Sequence, residues 1–301
     1  MSRRRKILLA AILLAAPVLA EVLVAGVLCL HPRRGVGPTP PALHEAALKA
    51  GGHETLDLAR PRGGTIKAEL YGGLQGREVV VYGHGYRESR RRADPLAEAL
   101  LREGFSVLAF DFAGSGDSSG WVTGAGAIEA DDVPVVIEYL VQKRGVARSK
   151  IAYVGFSMGA AAGALSGAAL KGTGAVVLIA SYAELDQTVE ARTRRWASLP
   201  SRPLLSPAFL LCEALLGRDV GAVRPVARIG EISPTPLLLI GSAEDWRAPP
   251  ADLDALFAAA GSPKERLLFP KGDHMWLQVA NAEVTGAVAS FLEKALRRGN
   301  P

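Results

Sequence analysis

Short runs of Val, Ile and Leu alternate with helix-length segments over most of this chain, and that alternation restricts the fold more than any other feature. Glu54–Leu58 and Thr65–Tyr71 read as two strands joined by a Gly63-Gly64 turn. Further strands are expected at Glu78–Tyr82, Phe105–Phe110, Ile151–Val154, Ala175–Ala180, Leu237–Ile240 and Arg266–Phe269. Between them Asp94–Arg102, Ile128–Arg144, Met158–Leu170 and Asp252–Ala260 carry helical patterns, and Asn281–Arg298 closes the chain. Strands this uniformly apolar belong to a sheet covered on both faces. Repeated β-α order implies an α/β fold with a doubly wound, mostly parallel sheet.

Two stretches break the rhythm. Arg3-Arg-Arg-Lys6 precedes an apolar run from Ile7 to Leu30, interrupted only by Pro17 and Glu21. At about 1.5 Å per residue such a run spans a hydrocarbon core of about 30 Å. It reads as an N-terminal transmembrane helix, a signal anchor with its basic end in the cytoplasm. A cleaved signal peptide, cut before Glu21 after Val18-Leu19-Ala20, is the competing reading. Under either, the catalytic body lies outside the cytoplasm, held to the cytoplasmic membrane or secreted. Residues 31–51 are expected to be a linker, with four prolines between His31 and Pro41, and residues 52–301 the globular domain. The second interruption, residues 184–233, is far longer than the usual connection of about 2–6 residues. It reads as a cap insertion over a site, or as an excursion that merely covers the sheet.

Charge follows the same division. Residues 1–34 hold six Lys/Arg against Glu21 alone, which accounts for the whole formal net charge of +5. The body is balanced, unlike a nucleic-acid-binding domain. The two cysteines, Cys29 and Cys212, lack metal-ligand spacing and have no local partner, so by themselves they say little about compartment.

Gly-x-Ser-x-Gly occurs twice, as Gly116-Asp-Ser118-Ser-Gly120 and Gly155-Phe-Ser157-Met-Gly159. With 33 glycines in 301 residues the string alone is weak. Context separates the copies. A nucleophilic serine of this kind needs a tight strand-to-helix turn that lifts its hydroxyl above the sheet edge, flanked by small residues where strand and helix meet. Ile151–Val154 before Ser157 and Met158-Gly-Ala-Ala-Ala-Gly163 after it meet that need. Ser118 is followed by Gly120-Trp-Val-Thr-Gly-Ala-Gly126, which is no helix.

Val79-Val-Val-Tyr-Gly-His84-Gly85-Tyr86, Phe110-Asp-Phe-Ala-Gly-Ser-Gly116-Asp-Ser118-Ser-Gly120 and Gly155-Phe-Ser157-Met-Gly159 follow one another in the order seen in the α/β-hydrolase superfamily. From about residue 52 to 298 the chain resembles that superfamily's serine aminopeptidase/monoacylglycerol-lipase-like branch. The resemblance makes Ser118 part of a structural loop and implies the order Ser, acid, His along the chain. His274 is the one histidine after Ser157 and is expected to be the base. Asp245, after the strand Leu237–Ile240 and four residues before Pro249, is the expected acid; Glu244, Asp273 and Asp186 are the other carboxylates in reach of the role. The resemblance also assigns the oxyanion donors, the backbone N–H groups of Met158 and Tyr86, and leaves His84 as a loop-shaping residue.

The chemistry expected is acyl transfer to water from an ester or thioester, with no metal or organic cofactor. An aminopeptidase or amidase, and a non-catalytic binding protein on the same fold, are the alternatives. Expected partners are a small-molecule or lipid acyl substrate and, through the leader, the membrane. Trp196 and Phe209 in the cap would suit a lipid-active enzyme, or would simply pack that cap.

Overall fold

The computed structural model describes residues 29–30, 35–197, 206–278 and 281–298. The apolar run of residues 7–28, the start of the proposed linker and part of the proposed cap (198–205) lie outside the described residues. Among the described residues no helix is long and apolar enough to cross a membrane.

Eight strands form one sheet: β1 (His53–Ala59), β2 (Thr65–Tyr71), β3 (Val79–Gly83), β4 (Ser106–Phe110), β5 (Ile151–Phe156), β6 (Ala175–Ile179), β7 (Leu237–Ser242) and β8 (Lys264–Phe269). Their spatial order is β1-β2-β4-β3-β5-β6-β7-β8. β2 runs antiparallel to β1 and β4, and every other pairing is parallel. The expected strands are all present, within two residues of their expected ends or slightly longer.

Period-2 alternation splits each central strand between two cores. Val79, Val81, Ile151 and Tyr153 face one cluster, whereas Val80, Tyr82, Ala152 and Val154 face the other. The first core is closed by α3 (Asp132–Glu138), the helix Met158–Leu165 and the helix Pro250–Ala259, and the second by the helix Pro41–Lys49, α2 (Asp94–Arg102) and the helix Ala282–Glu293. Burial on both faces is what the uninterrupted Val/Ile/Leu runs require.

Three expectations need correction. The presumed linker contains a helix, α1 (Pro41–Lys49), whose Leu43 and Ala47 enter the second core. Pro41 is tolerated at the first helical position, and the pair Leu43/Ala47 shares one face, so the prolines there start a helix rather than loosen the chain. The helix after Ser157 is broken at Ser166 into α4 (Met158–Leu165) and a short α5 (Gly167–Leu170). The Ser166 hydroxyl lies within hydrogen-bond distance of the Ala162 and Ala130 carbonyls and shares its one proton between them, competing for the carbonyl of the last turn. Finally, Cys29 and Cys212 form a disulfide across 183 residues. Tertiary folding, invisible to local spacing, brings them together.

Among the described residues, the insertion between β6 and β7 contains two helices, α6 (Leu185–Ala197) and α7 (Ser206–Leu216), followed by short 3-10 turns. Leu185, Phe209, Cys212, Val220 and Val223 join Cys29, Ala161 and Tyr182 in a third, smaller apolar cluster. The insertion thus covers the carboxyl end of β5, where ligands of open α/β sheets bind.

Candidate active site

Ser157 stands between β5 and α4 with φ 51° and ψ −112°. This backbone region costs a non-glycine residue about 1–3 kcal/mol and persists only where its surroundings enforce it. The Ser157 N–H donates to the Ile179 carbonyl (2.8 Å), fastening the turn to β6. Crowding explains the flanking glycines. A Cβ on Gly155 would lie 2.6 Å from the Gly159 carbonyl, and one on Gly159 would lie 2.1 Å from the Gly83 carbonyl oxygen.

The Ser157 Oγ lies 2.9 Å from His274 Nε2, and His274 Nδ1 lies 2.7 Å from Asp245 Oδ2. Asp245 is 1% exposed and His274 5%. A carboxylate only accepts, so Nδ1 carries the proton and leaves Nε2 free to accept from the serine hydroxyl. Asp245 is fixed in turn: its Oδ1 accepts the N–H groups of Arg247 (2.8 Å) and Ala248 (3.1 Å). The Phe156 ring packs 5.2 Å from the imidazole, centroid to centroid.

The other carboxylates have separate places. Glu244 accepts from the Gly272 N–H (2.9 Å), tying the loop after β7 to the loop that carries His274. Asp273 Oδ1 accepts from the N–H groups of Met275 and Trp276 and so shapes the turn around the histidine. Asp186 sits in the first turn of α6.

Met158 is the first residue of α4, and the first N–H groups of a helix have no partner within it. Tyr86 lines the cavity at Ser157 from the loop after β3. That loop is held from both ends. His84, fully buried, accepts from the Phe112 N–H at Nε2 (3.1 Å), which puts its own proton on Nδ1 toward the Gly85 carbonyl (2.8 Å). Glu88 Oε2 accepts from the Gly85 N–H (3.0 Å), while its Oε1 accepts from Gln278 Nε2 (2.6 Å) and pairs with Arg92 (3.1 Å). Glu88 therefore links the loop of Tyr86 to the segment following His274. No sequence motif pointed to it, because the two segments it joins, at Gly85 and Gln278, lie 3 and 190 residues from it.

Two spaces meet at Ser157. One, about 790 Å³ out to its mouth, is walled by Tyr182, Leu185, Val189, Phe209, Leu216 and Val220, with Cys29 and Cys212 among its lining. The other, about 730 Å³, is open and more polar, bordered by Gly85, Tyr86, Glu88, Trp246 and Met275. Arg195 of α6 lies over the Trp246 ring (4.8 Å), holding the end of that cap helix at the rim. Among the described residues no group of three or more His, Cys, Asp or Glu side chains is placed to hold a metal ion.

Comparison with known proteins gives the chain's family. Residues 75–214 match the family model described as serine aminopeptidase, S33. The chain is 31% identical over 241 residues to protein Rv2307c of Mycobacterium tuberculosis, covering 79% of this chain and 76% of the relative. It belongs to the α/β-hydrolase superfamily. The chain is also 26% identical over 199 residues to YfhR of Escherichia coli K12, covering 65% of this chain, and spans 63% of that curated relative's length. Among solved structures, the Pyrococcus furiosus esterase Pf2001 superposes with a TM-score of 0.70 at 23% identity, covering 89% of this chain and 98% of that one. At that identity the superposition speaks for the fold.

Proposed function

We propose that this hydrolase cleaves carboxylic ester or thioester bonds through a Ser157–His274–Asp245 triad and an acyl-enzyme. The observation that carries the reading is the unbroken relay from Asp245 through His274 to Ser157, opening into an apolar cavity. His274 Nε2 takes the hydroxyl proton as Ser157 Oγ attacks the carbonyl carbon, and returns it to the leaving group. Asp245 holds the imidazole in the required tautomer and stabilises the imidazolium. The backbone N–H groups of Met158 and Tyr86 receive the negative charge that develops on the carbonyl oxygen. A water activated by His274 then releases the acid.

An ester fits the lining better than a peptide with a free amine. Recognition of a terminal ammonium is best served by a carboxylate, and among the described residues bordering the two spaces Glu88 is the one carboxylate. It is already engaged by Arg92, Gln278 and the Gly85 N–H.

The test is a fluorophosphonate probe followed by peptide mapping. Adduct on Ser157, absent in Ser157→Ala, together with turnover of p-nitrophenyl acetate, is the expected outcome. A folded protein that takes no label and hydrolyses no ester is a binding protein, and one faster on aminoacyl amides than on esters is a peptidase.

We further propose that the domain lies outside the cytoplasm. The Cys29–Cys212 disulfide supports this, since such bonds persist in oxidising compartments. Cleavage before Glu21 and retention of an anchor both leave Cys29 in the chain. N-terminal sequencing of the exported protein separates those two forms, and a fully reduced Cys pair in the native protein would contradict export.

A further inference from the structure

The disulfide is also part of the candidate acyl pocket. Cys29 and Cys212 border the same apolar space as Ser157 and His274, and both are almost fully buried. Cys29 comes from the segment ahead of the domain, and two contacts seat it. Its carbonyl accepts from the Thr123 N–H (2.8 Å), and Leu30 forms a β-bridge with Val122. Thr123 itself borders the space, and its hydroxyl reaches Glu129 (2.6 Å) and the Met158 sulfur (3.5 Å). The wall is therefore continuous from the leader's end to the residue after Ser157. Cys212 lies on α7, which also contributes Phe209 and Leu216 to the lining. The covalent bond holds that helix against the seated Cys29.

We propose that the Cys29–Cys212 bridge determines acyl specificity: it completes the wall of an apolar pocket that selects esters of extended aliphatic acids over short ones. The inference rests on the ester-hydrolase reading and adds the substrate class. An aliphatic chain gains binding free energy in proportion to the area it buries, so its selection depends on a closed wall. An acetyl group stays beside Ser157 and gains little from α7. Loosening α7 thus weakens the binding of long acyl chains more than it weakens chemistry common to all esters. The residues ahead of the domain, ordinarily a mere tether, become part of the substrate site through Cys29.

The experiment compares kcat/KM for p-nitrophenyl decanoate and p-nitrophenyl acetate. Wild-type protein is expected to favour decanoate. In the double variant Cys29→Ala/Cys212→Ala the decanoate-to-acetate ratio should fall about tenfold, the scale at which apolar pockets discriminate, mainly through KM for decanoate. Val189→Phe, which narrows the same space with the disulfide intact, should lower the ratio as well and stands in should the double variant fail to fold. An unchanged ratio in the double variant, or a wild type that prefers acetate, overturns the pocket assignment while labelling of Ser157 leaves the hydrolase reading intact. A wild type that neither labels nor turns over either ester overturns both.

Discussion

The two Gly-x-Ser-x-Gly turns lie in one molecule, each with a buried carboxylate nearby, and they are put to different ends. Ser118 is fully buried; its hydroxyl donates to the Asp111 carbonyl (2.6 Å) and accepts from the Lys67 N–H (2.8 Å). The carboxylate of that loop, Asp111, accepts from the Arg90 N–H (2.7 Å) and forms an ion pair with the Arg90 guanidinium. Arginine keeps its proton at any ordinary pH, so the arrangement is a fixed strut. Gly116 belongs to it, because a Cβ there would lie 2.2 Å from the Asp111 carboxyl. Ser157 instead has its Oγ on a histidine, and the carboxylate behind that histidine fixes a titratable ring. The partner of the hydroxyl, rather than the glycine spacing, makes one serine a structural pin and the other a candidate nucleophile.

The largest expected effect comes from Ser157→Ala. It should lower kcat/KM for p-nitrophenyl esters on the order of 10⁵–10⁶-fold with little change in the melting temperature, because only the hydroxyl and its bond to His274 at the cavity wall are lost. Retained turnover in a Ser157→Ala protein with label still on Ser118 would reverse the comparison. Asp245→Asn comes next. An asparagine can present an N–H to His274, favouring the tautomer with its proton on Nε2, and a loss of about 10⁴-fold in kcat is expected. Steady-state kinetics on the variant checks it, and a loss below tenfold would show that the relay is not needed.

Both turns were visible in the sequence, and so was the setting that makes Ser157 the candidate, because that setting is local: a Val/Ile strand before Ser157 and a small-residue helix after it. The sheet was equally legible, since burial on both faces leaves uninterrupted apolar runs. What escaped depends on partners far apart in the chain. Cys29 and Cys212 are bridged over 183 residues, and Glu88 joins Gln278 over 190. The helix Pro41–Lys49 was masked by the prolines that cap it. In an exported chain, two cysteines are a pairing signal in themselves, and that was the clue at hand for the bridge.

Ser118→Ala is the converse of Ser157→Ala and smaller. It strands the Lys67 N–H and the Asp111 carbonyl in a buried position, a cost of about 1–3 kcal/mol. Thermal unfolding should register that loss, while kcat/KM stays within about twofold of wild type. A large drop in activity with unchanged stability would mean that Ser118 takes part in the chemistry and that the division between the turns is wrong.

The smallest effect concerns charge balance behind each turn. Asp111 is neutralised directly by Arg90, whereas the Ser157 side adds a second carboxylate. Burial pushes Asp252 up to about 6, with the charges of Asp245 and Glu184 adding to the rise and a bond from the Ala183 N–H opposing it. The folded state therefore binds this proton more tightly than the unfolded chain. Its contribution to stability is full below about pH 4, the ordinary carboxylate range, and is lost as pH rises through about 6. Asp252→Asn keeps an acceptor for Ala183 and removes the charge. Its melting temperature should match wild type at pH 4 and exceed it by a few degrees at pH 8. Equal melting temperatures at both pH values would mean that the negative charge beside Asp245 is already compensated, as it is at Asp111, and the contrast between the two turns would then reduce to the histidine alone.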